Sequence, residues 1–138
     1  MQYRDIRRGI FVQRHNRFVA TVELDGAPTT CHVRNTGRCR ELLLPGATVV
    51  LERVPSLHRK TAYSLIAVWK GDRLVNIDAT APNRVFAEWV TQSNLFPGVT
   101  SIRPEATYGD SRFDFYMESA GKPAFVEVKG VTLEEDGV

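Results

Sequence analysis

Three side chains late in the chain are of the types that phosphoryl chemistry uses: Asp114, Glu127 and Lys129. Hard divalent cations take oxygen ligands, commonly one or two carboxylates, with water and phosphate oxygens completing the shell. A neighbouring lysine can orient or deprotonate an attacking water, or neutralise charge on the phosphate under attack. One reading of the triplet is therefore a phosphodiester-hydrolysing site in which Asp114 and Glu127 hold Mg2+ or Mn2+ and Lys129 assists the attack. The other is a structural ion network on an exposed sheet face, where Lys129 neutralises two carboxylates and nothing reacts.

For these groups to act together, a hairpin must position them. Residues 113–118 and 124–129 are rich in aromatic and β-branched types, and Ser119, Gly121 and Pro123 between them are turn formers. A two-residue turn at Ala120-Gly121 makes paired residue numbers sum to 241, so Tyr116 faces Phe125, Asp114 faces Glu127 and Arg112 faces Lys129. Cross-strand partners have Cβ atoms about 4.5–5.5 Å apart, and two carboxylates that close repel unless a cation or proton lies between them. Glu127 and Lys129 are two apart and share a face by strand alternation. A three-residue loop would instead turn Asp114 away from Glu127.

The Asp…Glu-x-Lys pattern resembles the signature of the PD-(D/E)XK nuclease superfamily. The longer string S-R-F-D-F…F-V-E-V-K-G-V-T-L, with N-T-G-R at 35–38, E-L-L-L-P-G at 41–46 and R-K-x-x-Y at 59–63, is similar to the sugar fermentation stimulation protein A (SfsA) family. The resemblance implies a DNA-binding protein with an N-terminal OB-fold domain and a C-terminal nuclease-like domain, and a regulatory link to sugar use. Carried over by position, Asp114 and Glu127 become metal ligands, the Val128 carbonyl a further ligand and Lys129 the catalytic lysine. Members of that family continue well beyond this motif, so a fragment of a longer protein is expected, with the nuclease-like domain truncated.

Composition agrees with a folded chain: 138 residues, 43% hydrophobic and 25% charged. No apolar stretch approaches membrane-spanning length and no leader is apparent, so a cytoplasmic protein without a membrane partner is expected. Cys31 and Cys39 make no recognisable zinc spacing with His32, and two reduced thiols are the default. Residues 1–82 hold 13 Lys/Arg against 7 Asp/Glu, a balance of +6, whereas residues 83–138 hold 5 against 9, a balance of −4. A basic half beside an acidic half suits a protein whose partner is DNA. No protein partner is evident, and oligomeric state is not readable.

The division at 82/83 separates two expected domains. Residues 1–82 read as an OB-fold five-stranded barrel, drawn from six candidate strand segments at 9–13, 18–24, 29–33, 47–54, 62–69 and 74–77, with turns at Asp25-Gly26 and Gly71-Asp72 and a short helix over 38–44. Phe18, Ala20, Val22 and Leu24 alternate onto one face. Arg14 and Arg17 lie near aromatic residues, a pairing that suits phosphate contact and base stacking. Arg38 and Arg40 follow the turn at 35–37, which places Arg38 at the start of the short helix, and Arg59 and Lys60 form a basic loop tip. These six are the candidate nucleic-acid contacts. Residues 83–138 read as the first part of a nuclease-like α/β domain, with a helix over 83–96 set by the pairs Val85/Trp89 and Phe86/Val90.

Overall fold

The computed structural model describes residues 1–55, 60–93 and 95–133. The chain divides into two compact units, one built mainly on residues 2–79 and the other on residues 80–131.

In the first unit, apolar–polar alternation makes strands whose inner faces fill one core. Strand β1 (Ile6–Arg14), β2 (Val19–Leu24), β3 (Ala27–Val33), β4 (Thr48–Arg53) and β5 (Tyr63–Lys70) run in the order β3-β2-β1-β4-β5. A parallel contact between β3 and β5, at His32↔Ser64 and Val33↔Leu65, closes the sheet into a five-stranded barrel of the OB type. Strand β6 (Arg73–Asn76) adds to β5 through a turn in which Gly71 has φ 62°. The barrel encloses Val22, Val49, Leu51 and Leu65, each fully buried.

Strand β1 serves two neighbours. It pairs with β4 through Ile6–Ile10 and with β2 through Ile10–Arg14, so it must bend where it changes partner. Gly9 permits this: a Cβ there would stand 2.9 Å from the Glu23 carbonyl oxygen. The β2–β3 turn uses Asp25 and Gly26 at φ 52° and 78°, the double left-handed geometry of a two-residue hairpin turn.

Two expectations for this unit are corrected. Residues 38–44 form no helix; a turn at residues 40–42 closes on the Cys39 carbonyl, which accepts from the N–H groups of Leu42 (3.2 Å) and Leu43 (2.9 Å). Cys39 itself has φ 46°, a conformation that ends helical propagation, and Leu42 and Leu43 are drawn into the core. Phe18 also departs from its alternating set, because β2 begins only at Val19; Ala20, Val22 and Leu24 are buried while Phe18 stays 50% exposed.

The second unit contains α1 (Ala81–Gln92) and a three-stranded antiparallel sheet of β7 (Val99–Tyr108), β8 (Ser111–Ser119) and β9 (Lys122–Val126). The helix starts two residues before the expected position and ends four earlier, with Pro82 in the first turn, where its missing N–H costs nothing. Of the two apolar pairs, Phe86/Val90 turns inward, Phe86 meeting Phe115 at 5.3 Å between ring centroids, while Val85 and Trp89 stay largely exposed. The β8–β9 register has the expected sum, from Ser119↔Lys122 to Phe115↔Val126. Ala120 and Gly121 form the two-residue turn at φ 49° and 73°.

The ladder is shorter than the sequence predicts. Strand β9 stops at Val126, so neither Asp114 and Glu127 nor Arg112 and Lys129 are main-chain partners. The Val128 N–H bonds the Asp114 side chain instead, which removes the donor that would have extended the pairing.

Candidate functional sites

The acidic group is assembled by β8, by the segment after β9 and by the first turn of α1. Asp114 Oδ2 accepts from the Val128 N–H at 2.7 Å, and Oδ1 accepts from the Asn83 side-chain amide at 2.9 Å. Lys129 Nζ is hydrogen-bonded and ion-paired to Glu127 Oε1. The Lys129 side chain is 74% exposed and the Glu127 side chain 46% exposed, so the pair faces water.

These contacts set the charge states. The Val128 N–H, then the Asn83 amide, hold the Asp114 carboxyl below the usual carboxylate range; partial burial opposes them, and Lys129 and Glu127 add smaller pulls. Hydrogen bonding to Glu127, and then its charge, raise Lys129 above the ordinary lysine value. Lys129 therefore carries its proton at neutral pH.

The donor set suits a hard cation. Two carboxylates and a main-chain carbonyl are all oxygen donors, the number that a Mg2+-type ion accepts while keeping several waters. Among the described residues, no group of three or more His, Cys, Asp or Glu stands in a metal-binding array. Asp114 also sits opposite a strained residue: the β7–β8 pairing passes from Pro104↔Phe115 to Ala106↔Phe113, and Glu105 between them has φ 56°. Its carboxylate is exposed and pairs with Arg112.

In the barrel unit, four of the six candidate nucleic-acid contacts line one cleft of about 560 Å3: Arg14, Arg17, Arg38 and Arg40, with Asn16 and Thr36 among the other walls. Arg17, Arg38 and Arg40 are exposed. Arg14 behaves differently. Its guanidinium donates to the carbonyls of Asn16 (3.1 Å), Arg17 (2.7 Å), Asn35 (2.6 Å), Gly37 (2.6 Å) and Arg38 (2.7 Å). With its donors spent on main chain, Arg14 ties the β1–β2 loop to the 35–38 loop and leaves phosphate contact to its neighbours. Lys60 is exposed but is not among the cleft's walls, and Arg59 lies outside the described residues.

The loop over 34–38 contains Asn35, which the sequence marks as a turn former, and is otherwise fixed from below by residues that the sequence did not single out. Arg34 pairs with Glu52 at 2.8 Å and with the fully buried carboxylate of Asp78 at 3.1 Å. Tyr3 Oη donates to Asp78 at 3.1 Å, Asn76 donates to Tyr3 Oη at 3.0 Å, and the Asn35 amide donates to the Ile77 carbonyl at 2.8 Å. These partners lie as much as 75 residues apart and meet only through the tertiary fold, so no local pattern announces them. Asn83 was equally silent, although its place just after Pro82 at a helix start was legible.

Sequence similarity agrees with this division into two units. Residues 12–77 match the family model described as the SfsA N-terminal OB domain, and residues 80–138 match the sugar fermentation stimulation protein RE domain. The chain belongs to the SfsA family. The sugar fermentation stimulation protein homolog of Desulfitobacterium hafniense (strain Y51) is 55% identical over 138 residues, covering 100% of this chain and 60% of the relative. That of Clostridium beijerinckii is 53% identical, covering 100% of this chain and 61% of the relative. The chain thus spans about three fifths of the length of these curated SfsA relatives. Among solved structures, Pyrococcus furiosus SfsA in complex with Ca2+ aligns with a TM-score of 0.85 at 28% identity, covering 98% of this chain and 58% of that one.

Both cysteines are free and buried, and burial pushes the Cys31 thiol up to about 12, which keeps it protonated and unreactive. Among the described residues, no helix is long and apolar enough to cross a membrane.

Proposed function

We propose that this chain binds DNA through the barrel cleft and carries a divalent-metal phosphodiesterase site at Asp114, Glu127 and Lys129. The observation that carries the reading is the cleft, where three exposed arginines, Arg17, Arg38 and Arg40, share one concavity whose shape is held by a fourth. Converging guanidinium groups in a basic barrel are the chemistry of phosphate-backbone recognition. For the acidic site, the support is an ionised Asp114 next to Glu127 and Lys129, together with the Ca2+ held in complex by the Pyrococcus furiosus relative.

Asp114, Glu127 and the Val128 carbonyl are the groups that would hold Mg2+ or Mn2+, which when bound supplies positive charge to a phosphate under attack. The chain's own residues do the rest. Asn83 and the Val128 N–H hold the Asp114 carboxylate in one orientation, and the Lys129 ammonium offsets charge developing on phosphate oxygens.

A second reading is favoured by one feature. Strand β9 ends before Glu127, and Glu127 and Lys129 neutralise each other in an exposed pair. On that reading the protein is a regulatory DNA-binding module that retains the nuclease-like fold without using it. Supercoiled plasmid incubated with the chain and Mg2+ or Mn2+ separates the two. Nicking that is lost in Asp114→Ala and Lys129→Ala establishes the hydrolase; DNA bound but uncut in all three proteins establishes the module.

A further inference from the structure

We infer that the cleft takes a single strand of nucleic acid, with phosphates on Arg17, Arg38 and Arg40 and one base stacked on Phe18, which adjoins the cleft wall Arg17 in the chain and is not itself a wall. This rests on the DNA-binding reading above and specifies its ligand.

Phe18 is the residue that the barrel core declines. It follows Arg17, a wall of the cleft, and its ring is half exposed. One side lies against His32, nearly parallel at 9° with the ring centroids 6.4 Å apart. The main chain beneath is fixed on every side. Asn16 Oδ1 accepts from the N–H groups of Phe18 (2.8 Å) and Val19 (3.0 Å), the Phe18 carbonyl accepts from the Val33 N–H (2.8 Å), and Arg14 holds the Arg17 carbonyl. An exposed aromatic ring on a rigid turn loses little entropy when a flat partner lands on it.

A base is the flat partner that the surroundings select. The neighbouring arginines suit phosphate, and a nucleotide joins a phosphate to a planar ring at a fixed short distance. A duplex presents its phosphates but keeps its base faces inside the stack, whereas a single strand offers both. Arginine with aromatic platforms is the combination by which single strands are held without sequence preference.

The test is fluorescence anisotropy on the whole chain with a labelled oligo-dT 15-mer, the same length of duplex, and inorganic polyphosphate as competitor. The expected result is tighter binding of the single strand than of the duplex, with Phe18→Ala weakening the single strand roughly 5- to 150-fold, the range for one base on one ring. Duplex and polyphosphate affinities stay unchanged in that variant, and Phe18→Trp retains single-strand affinity. Equal affinity for both forms, or a Phe18→Ala protein that binds oligo-dT as wild type does, overturns the inference while leaving DNA binding intact. Failure to bind either form overturns the DNA-binding reading as well.

Discussion

The Arg14 guanidinium donates to the Asn35 carbonyl at 2.6 Å, joining the end of β1 to the loop that follows β3. Four further carbonyls, two on each loop, receive the same side chain. A planar five-donor fork can serve this many acceptors; an ammonium cannot. Arg14→Lys, despite its retained charge, is therefore expected to lower stability by about 1–3 kcal/mol, close to the loss in Arg14→Ala. Urea denaturation midpoints check this, and an unchanged midpoint in Arg14→Lys would return Arg14 to the set of free phosphate contacts.

The Arg34 network predicts a larger effect. Arg34→Met removes the cation that stands between Glu52 and the fully buried carboxylate of Asp78. The expected cost is about 3–5 kcal/mol, because taking one partner from a buried pair leaves the other charge poorly compensated. Thermal unfolding measured on the Trp69 signal, in a Trp89→Phe background, reports on the barrel.

Acid should weaken the second unit through Asp114. Its folded-state pKa lies below the unfolded value of 3.8, so its contribution to stability is complete above that value and is lost as pH falls through the folded one. Denaturation followed by Trp89 fluorescence in a Trp69→Phe background is expected to show stability falling below about pH 4. Asp114→Asn, which cannot ionise, should flatten that acid limb.

Ala120 occupies the first turn position at φ 49°, a left-handed conformation that costs an L-residue about 1–2 kcal/mol and that Asn or Gly accepts more readily. Ala120→Gly is thus expected to stabilise the second unit by about 0.5–1 kcal/mol, and Gly121→Ala to destabilise it. The same Trp89 unfolding curves decide.

How far the sequence foretold this arrangement depended on the range of the interaction involved. The β8–β9 register was legible because a two-residue turn at Ala120-Gly121 leaves one pairing, and Tyr116 does face Phe125. The end of that ladder was not, since it is set by the Val128 N–H bonding a side chain fourteen residues away. In the sequence Arg14 and Arg17 read as one basic group and Arg38 and Arg40 as another, and closure of the barrel puts all four around one cleft. What composition could not tell is that one of them is the clamp. Residues 38–44 carry a helix-like string of leucines, yet the apolar side chains serve a tight turn held by Cys39, because the core beneath claims Leu42 and Leu43.

The assignment of the cleft is tested most directly by the salt dependence of DNA affinity for the wild-type chain and for Arg38→Ala/Arg40→Ala. Log K is expected to fall linearly with log salt in the wild type. The double variant should bind more weakly with a slope shallower by about 1.4–1.8, as for two lost phosphate contacts, at an unchanged unfolding midpoint. A slope indifferent to the two substitutions would mean that DNA, if bound, is held elsewhere, and would contradict the assignment.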